Sequence, residues 1–432
     1  MANFRILRLW LAMIVLATGA LTLTSCSKTD DTPVAQTVVP PNDDDSGNTK
    51  DDGTDTKDDD TDTPDDSDKV AMKPYITDTV VYAKYPLLRN LNFVYPSKGP
   101  TGEDVMLSGT ITMPRTMTPQ TRAQGFILYN HYTVCRADEC PSRGKLDMQN
   151  ILYLTAPGRN FITVSADYYG FGLTEQQMQA YCIASVNARA SIDALLAARQ
   201  LLADQGYTWA DDVLNIGYSQ GGQTAIGVLK VATEEEPGLR FTRTMAGGGP
   251  YDLEATYRQY LADGEAKLPS AVVSILMAYN QYFRLGIAND QLFKGETLAH
   301  LDDWWLSKQY SSTAIDRKMG TRDITQFIAP PLLDLNTEVS RTMMTALAAE
   351  SLCHGWTPRT DEDIFLLHHN ADDISPSANT QLLYDFLKAK GVEHVEMQKA
   401  DFLTLGISEH VSGAMAFLTL VGQWLRDSYL IQ

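Results

Sequence analysis

With 432 residues, 44% of them hydrophobic, the chain is long enough to bury a full core and an added subdomain. Its formal net charge of −19 excludes a basic nucleic-acid surface, so no nucleic acid partner is expected. Five cysteines with no C-x-x-C and no histidine pair at ligand spacing argue against a metal site.

The charge is unevenly spread. Arg5 and Arg8 begin the chain, residues 9–23 are apolar, and Leu23-Thr24-Ser25-Cys26 follows. This resembles a bacterial lipoprotein signal, which implies cleavage after residue 25 and lipidation of Cys26. Residues 27–69 hold 15 Asp, no Glu and 4 Lys, a net −11, with too few apolar residues to offset chain entropy. Residues 26–70 therefore read as a disordered acidic tether. Lys28-Thr29-Asp30-Asp31 resembles the acidic export signals that send some lipoproteins to the outer face of the outer membrane. With the tether and the two leading arginines set aside, residues 70–432 carry −10.

Cys26 is assigned to lipid, which leaves Cys135, Cys140, Cys182 and Cys353, an even number for an oxidising compartment. Three pairings are open; Cys135 with Cys140, which closes a short loop, and Cys182 with Cys353 are preferred.

The folded part opens with strand patterns at 78–83 and 105–113, with a turn at Gly99, Pro100 and Gly102. Residues 126–131 read as a buried strand running into a loop with Tyr132, Thr133 and Cys135. Residues 160–167 read as the next strand, followed by Tyr168-Tyr169-Gly170-Phe171-Gly172 and a long helix over 176–205.

Residues 212–216 form a β-rich run, then Gly217-Tyr218-Ser219-Gln220-Gly221-Gly222, then a helical pattern from 223 to 230. Strand, G-x-S-x-G, helix is the context of a nucleophile elbow. A serine hydroxyl is a weak nucleophile and must sit on a tight turn within reach of a base. The backbone N–H of Gln220, at the start of the helix, can face the oxyanion that forms.

After a strand and the glycine run at 247–249, which lacks a P-loop lysine, residues 253–360 are mostly helical in pattern and rich in aromatics. The strand pattern resumes at 363–369 and leads to two neighbouring acids, Asp372 and Asp373. A last strand lies around 395–398. His410 stands on the loop before a helix over 414–425. The chain order Ser219, Asp372, His410 is nucleophile, acid, base.

Over about residues 75–430 these motifs resemble secretory-lipase-like α/β hydrolases with a helical lid. The resemblance implies an α/β-hydrolase fold, with a mostly parallel central sheet flanked by helices, split into 71–252 and 361–432 around a lid insert at 253–360. It implies Ser219 as nucleophile, His410 as base and Asp372 as the acid that orients it. It further implies backbone donors at Gln220 and Tyr132, pocket roles for Tyr168 and Tyr218, and no organic cofactor. The substrate class is a small-molecule, lipid or carbohydrate ester, with the outer membrane reached through the lipid anchor. A prolyl- or dipeptidyl-type serine peptidase and a non-catalytic surface binding protein are the alternatives.

Overall fold

Antiparallel pairing starts the sheet and parallel pairing completes it. A computed structural model describes residues 72–82, 85–144, 160–404 and 408–429. The leader, Cys26 and the tether lie outside the described residues. Strands β1 (Tyr75–Val80), β2 (Leu88–Lys98) and β3 (Asp104–Pro114) run antiparallel. Six further strands follow: β4 (Ala123–Asn130), β5 (Phe161–Ala166), β6 (Trp209–Tyr218), β7 (Arg243–Gly247), β8 (Asp363–His369) and β9 (His394–Ala400). They pair in parallel, and the whole sheet has the order β1-β2-β3-β5-β4-β6-β7-β8-β9.

β2 is the hairpin arm ahead of the turn at Gly99, Pro100 and Gly102, for which the sequence pattern sets no bounds. Its asparagines and proline mask the strand pattern. Asn90 Oδ1 accepts the Thr112 hydroxyl of β3 at 2.5 Å, while its buried Nδ2 has no hydrogen-bond partner.

The parallel strands carry apolar residues on both faces. In β4, Phe126 and Leu128 enter one core while Ile127 and Tyr129 enter the other. On the first face lie α1 (Ala184–Asp204) and α2 (Gln220–Glu234). The second face is closed by the C-terminal helix, which buries Phe417, Val421 and Leu425.

Four longer helices and several short turns lie between β7 and β8. These are α3 (Leu253–Asp263), α4 (Pro269–Tyr282), α5 (Ser312–Met319) and α6 (Glu338–Ala349). After β8 come α7 (Ala378–Ala389) and α8 (Glu409–Tyr429). Val272, Leu276, Phe293 and Leu347 of the inserted stretch join the same apolar cluster as Phe126 and Leu195. The insert and the sheet thus share one core.

The insert also takes hold of loops at the C-terminal ends of the strands. The Tyr279 hydroxyl donates to the Cys182 carbonyl at 3.0 Å, and that of Tyr260 to the Ile374 carbonyl at 2.7 Å. The Lys308 amine, 6% exposed, donates to the Glu175 and Gln177 carbonyls. Burial pulls its pKa down to about 8, against the opposing pull of Glu175.

These contacts explain why α1 begins at Ala184 rather than at 176. The carbonyls of Glu175, Gln177 and Met178 serve side chains of the insert, and Cys182 turns the chain with φ of 55°. Among the described residues no helix is long and apolar enough to cross a membrane.

Candidate active site

Ser219 sits between the last residue of β6 and the first of α2, with φ 60° and ψ −125°. A side chain in this region strains the backbone, so the surroundings must hold it there. The Ser219 N–H donates to the Gly247 carbonyl at 2.8 Å, and its own carbonyl accepts the Gln223 N–H at 3.1 Å. The glycines are dictated by close approach. A Cβ on Gly217 would collide with the Gly221 carbonyl, and one on Gly221 with the carbonyl of Asn130 at the end of β4. Strand, turn and helix are therefore clamped together, with Ser219 partly exposed among buried neighbours.

His410 is the second residue of α8, so the helix begins earlier than its apolar pattern suggested and includes the histidine. Its Nε2 is 2.9 Å from Ser219 Oγ, and its Nδ1 is 2.7 Å from Asp372 Oδ2. A carboxylate only accepts, so Nδ1 carries the hydrogen and the bare Nε2 accepts the serine hydroxyl. The backbone of His410 is fixed at both ends. Its N–H donates to Asp373 Oδ1 at 3.0 Å, and its carbonyl accepts the Tyr218 hydroxyl at 2.8 Å.

Asp372 follows β8, and its side chain is fully buried. Oδ1 accepts the N–H groups of Ile374 and Ser375 at 3.0 and 2.8 Å. Oδ2 faces two imidazoles, His410 and, at 3.2 Å, Nε2 of His368. Burial alone would raise its pKa. The facing His410 and the hydrogen bonds from His368 and His410 outweigh burial and hold the carboxyl well below the usual carboxylate range.

Ser219, His410 and Asp372, separated by up to 191 residues along the chain, thus form one hydrogen-bonded line. Gln220 opens α2, where the first N–H groups have no acceptor within the helix. The loop carrying Tyr132 is pressed against this helix start, since Gly221 also lies against the His131 carbonyl. His131 is buried, its Nδ1 is 2.7 Å from the Tyr132 carbonyl, and its ring stacks on Tyr168 at 4.0 Å. Burial lowers the His131 pKa, which favours the neutral ring.

Two expectations from the sequence need correction. Tyr168 and Tyr218 are core residues, 1% and 3% exposed, rather than walls of an open pocket. Tyr218 packs on Phe417 and supports His410 from beneath. The four cysteines are free thiols, and neither preferred pairing is formed. Cys135 and Cys140 enter different apolar clusters, and burial pushes the pKa of all four thiols up.

The sequence reading missed the parts played by Asp373 and His368. The pair Asp372-Asp373 carried a signal: one acid faces the imidazole while its neighbour takes the backbone N–H of the same histidine. Among the described residues no group of three or more His, Cys, Asp or Glu is placed to hold a metal ion.

No curated protein matches the chain. Among solved structures it is similar to the rice cell wall degrading esterase LipA of Xanthomonas oryzae, with TM-score 0.66 and 20% identity over 79% of this chain and 91% of that one. A hydrolase of Legionella pneumophila gives TM-score 0.65 and 22% identity, over 79% and 88%. Candida antarctica lipase A gives TM-score 0.55 and 15% identity, over 73% of each chain. At these identities the likeness speaks for the fold, an α/β-hydrolase sheet. The sequence itself matches the secretory lipase family over residues 144–430, about two thirds of the chain. The chain belongs to the secretory lipase family and is a carboxylic ester hydrolase.

Proposed function

We propose that the protein cleaves esters through an acyl-enzyme on Ser219. The observation that carries this reading is the line from Ser219 Oγ to His410 Nε2 to Asp372, at 2.9 and 2.7 Å. As Oγ attacks the ester carbonyl, its proton passes to Nε2 and the carbonyl oxygen becomes an oxyanion. The N–H groups of Gln220 and Tyr132 receive that oxyanion. Buried Asp372, held ionised, steadies the imidazolium without taking its proton. The imidazolium then protonates the leaving alcohol. In the second half, water gives one proton to His410 as it attacks the acyl carbonyl, and the imidazolium returns that proton to Ser219 Oγ as the acid leaves.

A polar cavity of about 250 Å³ borders Asp372 and Asp373 and is lined by Gln259, Tyr260 and Asp263 of α3. Its carboxylates are engaged: Asp263 accepts from Gln259, Glu265 pairs with Lys267, and Asp373 holds Ser408 and His410. That speaks against the free-amine subsite a dipeptidyl-type peptidase needs. For location, the chain is read as secreted and held at the outer membrane by lipid on Cys26.

The test is hydrolysis of p-nitrophenyl esters from acetate to palmitate by the purified protein and by Ser219→Ala. Parent activity with a loss on the order of 10⁴- to 10⁶-fold in the variant is expected. Folded protein that cleaves none of the esters would sink the reading. The chain-length optimum separates a short-chain esterase from a lipase.

A further inference from the structure

Oδ2 of Asp372 faces a second imidazole that the acyl-enzyme scheme does not use. His368 is the sixth residue of β8 and is fully buried. Its Nε2 lies 2.9 Å from the Ser375 carbonyl and 3.2 Å from Asp372 Oδ2. Both are acceptors only, so Nε2 carries a hydrogen and shares it between them. At the other side of the ring, Nδ1 is 2.6 Å from the hydroxyl of Thr380, itself fully buried on α7. The imidazole is thus locked at both nitrogens, and one of its locks is the carboxylate that faces His410.

We propose that His368 is a positioning residue for hydrolysis, acting through Asp372 rather than on the substrate. The inference rests on the Ser219 reading given above. The argument turns on how the lone pairs of the carboxylate are filled. Two backbone N–H groups hold Oδ1, and Oδ2 must offer one lone pair to His410 in a fixed direction. His368 takes the other side of Oδ2, which stops the carboxylate from turning about its Cβ–Cγ bond and lowering its aim at His410.

It also links the acid to the core, because His368 belongs to the sheet and Thr380 to a helix packed on it. Asp372 stands on a loop, and a loop alone would leave a catalytic carboxylate with the mobility of loops. The contact to Ser375 adds a second tie, since that residue's N–H also holds Oδ1. Asp372, Ser375 and His368 thus form a closed ring of hydrogen bonds.

The test compares three full-length variants with the parent. His368→Phe keeps the ring volume and removes both polar contacts. His368→Gln places an amide nitrogen near the Nε2 position, within reach of Asp372. His368→Asn reaches only the Nδ1 side and Thr380. With active sites counted from the p-nitrophenol burst, the Phe variant is expected to lose about tenfold to a hundredfold in kcat with little change in KM. The Gln variant is expected to recover most of that loss and the Asn variant little. A Phe variant with the parental kcat overturns the proposal. So does equal activity of Gln and Asn, a comparison that stands even if Phe does not fold.

An activity-free readout separates this proposal from the hydrolase reading. The Nδ1–H proton of His410, followed by NMR without substrate, should move or broaden in the Phe variant relative to the parent. An unchanged resonance overturns the positioning role. A parent without esterase activity would sink the hydrolase reading and leave this resonance to decide the coupling alone.

Discussion

The two halves of the proposed site are built on different physical terms. The elbow around Ser219 is a backbone object: a strained turn closed by main-chain hydrogen bonds and by glycines that admit no Cβ. The half with Asp372 and His410 is a side-chain object. There the backbone is ordinary, and hydrogen bonds between residues far apart in sequence set the geometry. The first kind of construction cannot be altered without disturbing the fold. The second can lose its chemistry while the fold stands.

Breaking the comparison starts with Asp372→Asn. The amide volume is nearly that of the acid, but it offers His410 a donor in place of a charge. Loss of about 10⁴-fold in kcat is expected, with a folded protein by circular dichroism. The pH dependence follows from the sign of the shift. The folded Asp372 has its pKa lowered, so its stabilisation is present above the ordinary carboxylate value of about 4 and is lost as pH falls below it. Denaturant midpoints of parent and variant should differ at pH 6 and converge toward pH 3; a constant gap would contradict the assignment.

Next in size is Gly221→Ala. The added methyl must displace the Asn130 carbonyl, at a cost of about 1–3 kcal/mol. Activity and unfolding midpoint should fall together. An Ala variant with parental stability but no activity would show that the elbow, too, is a side-chain device.

The smallest effect is expected for Tyr218→Phe, which removes one hydrogen bond to the His410 carbonyl. About 1 kcal/mol is at stake, read as a several-fold drop in kcat with KM preserved. A larger loss would mean that His410 depends on this single tether rather than on Tyr218 and Asp373 jointly.

The same contrast governs what the sequence discloses. G-x-S-x-G between a strand and a helix is a local pattern, and Ser219 is legible because the turn is made from its own neighbours. Asp372 and His410 are legible from chain order, which the topology of the sheet enforces. The support around them is not legible. A histidine four residues ahead of the acid is visible at 368, but that its ring faces Asp372 Oδ2 depends on the turn after β8. The pocket roles of Tyr168 and Tyr218 come from the family resemblance and not from the residues themselves. Their burial is decided by α8 and His131, which are distant in sequence. The start of α1 is hidden for a similar reason: the carbonyls of Glu175, Gln177 and Met178 are claimed by the insert.

The shared core of insert and sheet bears on how the enzyme meets heat. A lid with its own core could melt first, leaving a naked but intact hydrolase over some range of temperature. Here Val272, Leu276 and Leu347 draw on the same cluster as the strands, so the inserted helices have no separate core on which to melt alone. Loss of the inserted helices on heating is then expected to expose apolar surface of the sheet as well. Deleting residues 253–360 would remove part of the packing that covers the strands.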